Sequence, residues 1–280
     1  MSGSRKESSM RSAWKPASVR RIGLASAIAL VGIFALLGTA SAKWSVVQSG
    51  NLTFKVDGGV SPSVLPRHEF APASFSARGQ IGTLDGSHPP ALREAVLYLD
   101  KGFEADAYGL PTCRAGQLEA RTTKMARQAC PDAIIGSGNG SAEIAFPEQS
   151  PILTSSPLTL FNGGVKGGIT TVYAHAYTTV PTPTAIISTM KFRTVKAGRY
   201  GVRGDLTLPK IAGGSGSVVG FDFKVARLYR YRGFRKSYSL AQCRDGRLDV
   251  KSTVTFRDEV GDGGDSTLDV GVTLPCTPKG

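Results

Sequence analysis

The sequence predicts an all-β fold, an antiparallel β-sandwich or jelly-roll-like arrangement with a short disulfide-stapled helical insert. Three observations predict it. Short stretches alternating apolar and polar residues recur from residue 43 to the end, as expected of strands buried on one face. Glycine turn signals separate them: Asn162-Gly-Gly, Lys166-Gly-Gly, Lys196-Ala-Gly, Gly213-Gly-Ser-Gly, Arg232-Gly, Asp245-Gly and Gly261-Asp-Gly-Gly. Only one convincing stretch, between Cys113 and Cys130, has helical spacing. Many short strands with glycine turns and little helix favour a sandwich.

The N-terminus predicts the compartment. Arg5, Lys6, Arg11, Lys15, Arg20 and Arg21 face a lone Glu7, the apolar run Ile22 to Leu37 follows, and Thr39-Ala-Ser-Ala42 closes the segment. A basic start, an apolar centre and a small-residue end form a secretory signal peptide, 1–42, with cleavage expected after Ala42. The run is shorter than the roughly 20 residues of a spanning helix, so no membrane span is expected after cleavage. The product is expected to be secreted or associated with the cell envelope. Arg20-Arg21 hints at twin-arginine export, but the following Ile-Gly-Leu favours the general route.

Residues 43–280 are expected to form a single β-sandwich domain, with two packed sub-sandwiches as the alternative. Of the 34 basic and 21 acidic residues, six and one precede Lys43, which leaves 28 and 20 and a net charge of +8. That balance favours anionic surfaces. Nucleic acid is not an expected partner, because no recognised motif for it is present.

In chain order, Lys43 to Asp57 alternates and stops at Gly58-Gly59, predicting a strand and a turn. Val60 to Arg67, with Pro62 and Pro66, reads as a loop. Glu69 to Leu84 resumes the alternation, and Asp85-Gly-Ser-His-Pro-Pro90 is turn chemistry. A strand is predicted from Arg93 to Lys101 and a short return strand over 102–109. Beyond Pro131, strands are predicted over 133–146, 157–162, 169–177, 184–195, 200–208, 217–231, 238–242, 247–257 and 267–274.

Four cysteines in an exported chain read as two disulfides with three possible connectivities. The nearest-neighbour pairing, Cys113 with Cys130 and Cys243 with Cys276, closes two local loops and is preferred. A metal site is disfavoured, because no two cysteines are closely spaced and no histidine is near them. Between Cys113 and Cys130, Leu118, Arg121 or Thr122, and Met125 recur three to four apart. Thr112 is a plausible N-cap, Pro131 stops the helix, and Gly116 predicts two short turns rather than one rod.

Sites of chemistry are sparse. His68 and His88 are expected at the surface, and His175, mid-strand, is expected to be half-buried and satisfied. No Gly-x-Ser-x-Gly or His-Glu-x-x-His occurs. Glu143 with Glu148, and Asp100 with Glu104 and Asp106, are the carboxylate groups that a glycosidase would need to pair across a cleft. They read more simply as solvated turn residues. Asp258, Glu259, Asp262, Asp265 and Asp269 surround a glycine turn without EF-hand spacing. No catalytic residue, cofactor or metal is predicted. The sharpest feature is the segment 221–236. If it is one strand, Phe221, Phe223, Val225, Arg227, Tyr229 and Tyr231 share a face. Lys224, Arg230, Arg232, Arg235 and Lys236 then form the rest of a basic ridge, which could hold an anionic envelope polymer, a glycan or a lipid head group. A solvated outer face is the simpler reading of the ridge.

A wider pattern joins these pieces: Leu110-Pro-Thr-Cys113, Gln117-Leu118, Cys130-Pro131, Ile135-Gly136-Ser-Gly138, Phe161-Asn-Gly-Gly164, Ala174-His175-Ala, Gly198-Arg-Tyr-Gly201, Pro209-Lys-Ile-Ala-Gly-Gly214 and Pro275-Cys276. Together they resemble a group of uncharacterised secreted proteins of actinobacteria. The resemblance implies an exported, disulfide-bonded β protein and carries no activity. The expected function is an exported, non-enzymatic structural or interaction protein. A module binding glycan or anionic wall polymer is the alternative, and a secreted hydrolase a weaker one.

Overall fold

The computed structural model describes residues 44–257 and 264–280. The predicted signal segment and the acidic residues Asp258, Glu259 and Asp262 lie outside the described residues.

The strands run in order as β1 (Ser45–Ser49), β2 (Leu52–Ser61), β3 (Val64–Pro66), β4 (Ala71–Pro72), β5 (Ser74–Thr83), β6 (Ala91–Asp100) and β7 (Phe103–Ala105). The helical insert follows, with its one α-helix, α1 (Thr123–Ala129). Then come β8 (Ile134–Phe146), β9 (Gln149–Lys166), β10 (Ile169–Thr178), β11 (Thr184–Ala197), β12 (Tyr200–Thr207) and β13 (Gly216–Val225). The chain closes with β14 (Leu228–Tyr231), β15 (Phe234–Ser237), β16 (Ser239–Ala241), β17 (Arg247–Arg257), β18 (Asp265–Pro275) and β19 (Thr277–Lys279).

Twelve of these strands form one sheet in the order β1-β2-β5-β13-β8-β9-β10-β11-β12-β6-β17-β18, and every pairing in it is antiparallel. The all-β class is as predicted. The arrangement is one continuous curled sheet rather than two separately hydrogen-bonded sheets. Its outer strands meet: β18 lies against β1 and β2, and the Ser45 hydroxyl donates to the Gly271 carbonyl at 2.7 Å. Gly58 permits the approach, since a Cβ there would lie 3.1 Å from Leu274 Cδ2. Among the described residues no backbone ladder joins β18 to β1, so the ends meet by packing. The curled sheet forms a flattened, barrel-like layer in which β13 also approaches β6, with one inner and one outer face.

Several boundaries differ from expectation. The single strand predicted up to Asp57 is, over the described residues, a β1–β2 hairpin that turns at Gly50-Asn51, and β2 continues through Gly58-Gly59. The 157–162 strand is part of β9, 18 residues long. The insert is two short turns, as predicted, a 3-10 turn over Ala115–Gln117 and α1. The cap is Thr122 rather than Thr112, its hydroxyl accepting from the Met125 amide. The predicted 217–231 strand ends at Val225. Its neighbours stop there, because Val225 faces Phe75 near the start of β5 and Gly136 near the start of β8. Without partners on either side, the chain pairs with itself as the β14–β15 hairpin.

Both disulfides have the predicted pairing, Cys113–Cys130 and Cys243–Cys276. The first ties the insert onto the outer face of β9, β10 and β11, where Leu118, Ala126 and Cys130 pack on Phe161, Tyr173 and Ile187. The second holds the small sheet β4-β16-β7 and the parallel pair β19-β3 against one end of the barrel, around Leu65, Phe103 and Leu248.

Candidate functional site

A barrel of about eight strands is just wide enough for its own side chains to fill, and diameter grows with strand number. Twelve strands leave room, and whether it is filled depends on side-chain size. Around β2, β17 and β18 the inward residues are large: Leu52, Phe54, Val254, Phe256, Leu268 and Val270 are all buried in one cluster. Along β9 and β10 the inward residues include Thr154, Ser156, Ala174, Ala176 and Thr178. The gap is a cavity of about 980 Å³ inside the barrel.

Its walls are nearly all apolar. Leu158 and Leu160 of β9, Val172 of β10, Ile186, Met190 and Phe192 of β11, Leu206 just inside the end of β12 and Phe221 and Phe223 of β13 face it. The residues from Ala185 to Met190 keep partial exposure although the sheet closes around the even-numbered ones, and β11 has no fully buried residue. Charges line the cavity mainly at one end. Lys101, Glu104 and Arg244 line it and are themselves exposed, so the interior reaches solvent there. The register places the C-terminal ends of β6, β9, β11 and β13 at this end.

The predicted ridge is divided by the break after Val225. Lys224 lies on the outer face of β13, beside Asp57, Arg78 and Asp222. Arg227 occupies the break and faces Asp132 at 3.8 Å. The Tyr229 hydroxyl is 3.0 and 2.9 Å from the carbonyl oxygens of Asp106 and Tyr108. Lys236 Nζ donates to Asp106 at 2.6 Å, and this pairing raises the lysine pKa. Arg232 stacks on the Tyr231 ring, 5.3 Å from its centroid. Arg230 and Arg235, directly opposite one another in the hairpin, remain. The tyrosines and Lys236 thus fix the hairpin to the 106–109 loop, and these two arginines are presented to solvent.

The carboxylate groups do not converge on a cleft. Glu143 bonds His88, Glu148 sits in the β8–β9 turn, Asp106 pairs with Lys236 and Asp100 with Arg199. Asp265 pairs with Arg257, which lowers its pKa, and Asp269 accepts from Thr253. Among the described residues no group of histidine, cysteine and acid side chains is arranged to hold a metal.

One constellation escaped the sequence. His88, expected at the surface, is partly buried. Its Nδ1 lies 2.8 Å from Glu143 Oε1 and its Nε2 lies 3.0 Å from Ser217 Oγ. This is the connectivity of a serine–histidine–acid triad. Ser217 is only 1% exposed, however, and its hydroxyl also donates to the Pro89 carbonyl at 2.5 Å. None of the three lines the barrel cavity. A nucleophile needs room for a carbonyl beside it and donors for the oxyanion, whereas Ser217 is buried with its hydroxyl committed to Pro89. The chain of bonds clamps the 84–90 loop to the outer wall. The cross-strand pair Ser217 and Glu143 could be read from sequence only once the register of β8 and β13 was known.

His175 is fully buried between β10 and the insert, deeper than predicted. Its Nε2 lies 3.0 Å from the Arg121 carbonyl, which can only accept, so Nε2 carries the proton. Nδ1 has no partner among the described residues. Burial lowers the pKa of the ring. No family model, curated protein or solved structure matches the chain.

Proposed function

We propose that this protein is an exported binding protein that holds an apolar molecule, such as an acyl chain, inside the barrel. The cavity of about 980 Å³ with almost wholly apolar walls carries this reading. Ligand sites of small molecules typically span ~300–1,000 Å³, with apolar walls and a few polar groups. The cavity opens to solvent beside Lys101, Glu104 and Arg244. Its walls of leucine, valine and phenylalanine offer water few of the two to four bonds it needs, so an apolar occupant suits it better than water. Lys101 and Arg244 at the open end suit a polar or anionic head group left at the surface. Two disulfides suit an oxidising compartment, and no described helix is long and apolar enough to cross a membrane. Both fit the export that the N-terminal sequence predicts.

The test is binding of a fluorescent fatty acid by the chain from Lys43 onward. Saturable binding is expected. Ala176→Phe, which adds a ring to the cavity wall, should weaken it at least ~10-fold while leaving the unfolding midpoint within a few degrees. Absence of saturable binding by the unsubstituted protein would sink the proposal.

A further inference from the structure

The hairpin β14–β15 joins the barrel at the cavity. Val225, before it, and Tyr238 and Ser239, after it, all line the interior. Its turn is Arg232-Gly233, both residues at positive φ (50° and 84°), the geometry of a tight type I′ connection. The hairpin therefore projects as a short fixed arm from the end of the barrel where the interior reaches solvent.

Two features of this arm oppose its own stability. Arg230 and Arg235 face each other directly across the strands, and like charges in that position repel. No acidic residue lies between Leu228 and Ser237. Phe234 is 74% exposed and Leu228 59%, beside Tyr108, whose ring meets Tyr231 edge-on at 5.2 Å. Meanwhile Tyr229 and Lys236 are used to hold the arm in place. Exposed aromatic and aliphatic groups next to arginines that have no acidic partner among the described residues form the two-part signal of a surface that enters the boundary of an anionic bilayer, with rings among the acyl ends and guanidinium groups on phosphates.

From these observations we infer that the β14–β15 hairpin docks the barrel onto an anionic lipid surface, so that the apolar ligand passes between bilayer and cavity at that end. This inference rests on the proposed ligand-binding function, and the two are separable by experiment. The chain from Lys43 onward is sedimented with vesicles of phosphatidylcholine alone or mixed with phosphatidylglycerol, and fluorescent fatty-acid binding is measured in parallel without vesicles. Binding to the anionic vesicles, weakened by salt, is expected. Arg230→Ser with Arg235→Ser should lower vesicle partitioning roughly 20-fold, and Phe234→Ser should lower it too. Both variants should bind the fatty acid in solution as the unsubstituted protein does. Vesicle binding that is unchanged in the variants, or equal on neutral vesicles, would overturn the docking surface. So would retention on isolated cell-wall polymer without vesicle binding, which would assign the arginines to that polymer. Loss of fatty-acid binding by the unsubstituted protein would count against the cavity instead.

Discussion

The two halves of the barrel reach stability by opposite routes. Around β2, β17 and β18 the sheet is filled from inside, with Phe54, Val254, Phe256 and Leu268 buried together. Across β9, β10 and β11 the inner face packs only around Leu160 and Val172 and elsewhere turns small residues to the cavity, and burial extends to the outside. There Thr159, Phe161 and His175 are fully buried beneath an insert closed by Cys113–Cys130. A wall that faces a cavity over part of its inner face gains less there, and its outer face adds packing. The insert lets one half of the barrel stay hollow.

The largest effect should come from emptying the filled half. Phe256 is 0% exposed, and Phe256→Ala is expected to cost about 3–5 kcal/mol, through lost burial and the new void, in urea unfolding. A cost below about 1 kcal/mol would mean that this half is not packed as described. The next largest should come from releasing the buttress of the hollow half. Replacing Cys113 and Cys130 by alanine opens a loop with a sequence separation of 17, worth about 3 kcal/mol in the chain-entropy model. Amide exchange should rise more in β9–β11 than in β17–β18. An even rise would break the distinction between the halves.

The division explains which parts of the fold could be read in advance. Period-two alternation places Val172, Ala174 and Ala176 on one face of β10 from sequence alone, and turn glycines mark most strand ends. Alternation does not say whether a small inward residue meets a neighbour or an empty space. That depends on how many strands close the sheet, which is set by contacts such as Ser45 with Gly271. Local spacing was enough for the disulfides. It was not enough for the 217–231 segment, where β propensity continues past Val225 but sheet partners do not. The basic ridge is legible in its composition, but its division into anchoring and exposed residues depends on the 106–109 loop, more than a hundred residues earlier in the chain.

A smaller effect is expected where the halves are joined. Arg199, at the β11–β12 turn, pairs bidentately with Asp245 at 2.6 and 3.0 Å. Its Nε lies 2.6 Å from Asp100 and 2.7 Å from Asp249, ion pairs whose angles fall short of hydrogen bonds. Asp100 and Asp249 belong to β6 and β17, so one guanidinium connects the open wall to the filled one. The pairing holds the Asp245 carboxyl below its ordinary range and raises the arginine. Arg199→Ala leaves buried Asp100 unpaired. A cost of about 2 kcal/mol is expected, less than for a fully buried pair because Arg199 is partly solvated. For Asp245, the folded pKa is the lower one. Its stabilisation is complete above ~3.9 and is lost as pH falls through the folded value. Acid unfolding should therefore begin at higher pH in Arg199→Ala, and an unchanged acid limb would remove this joint from the account.

The smallest effect concerns the interface between the hollow wall and its buttress. The core of the filled half is aliphatic and phenylalanine, whereas the buttressed face contains His175. Burial lowers the pKa of this ring, opposed by its bond to the Arg121 carbonyl. An unfolded chain protonates the same residue near ~6.5. Between that value and the lower folded one, the unfolded state binds more protons, so stability is complete above ~6.5 and declines as pH falls below it. Protonation within the fold would place a charge under the insert with Nδ1 unpartnered. A decline in unfolding free energy between pH 7 and 5 is therefore expected, with amide exchange rising first around Arg121 and α1. His175→Gln retains an N–H that can reach Arg121 but does not titrate. It should flatten the decline without moving the transition caused by Arg199→Ala. A slope that is the same in His175→Gln would place the proton uptake elsewhere and leave the two halves with the same response to mild acid.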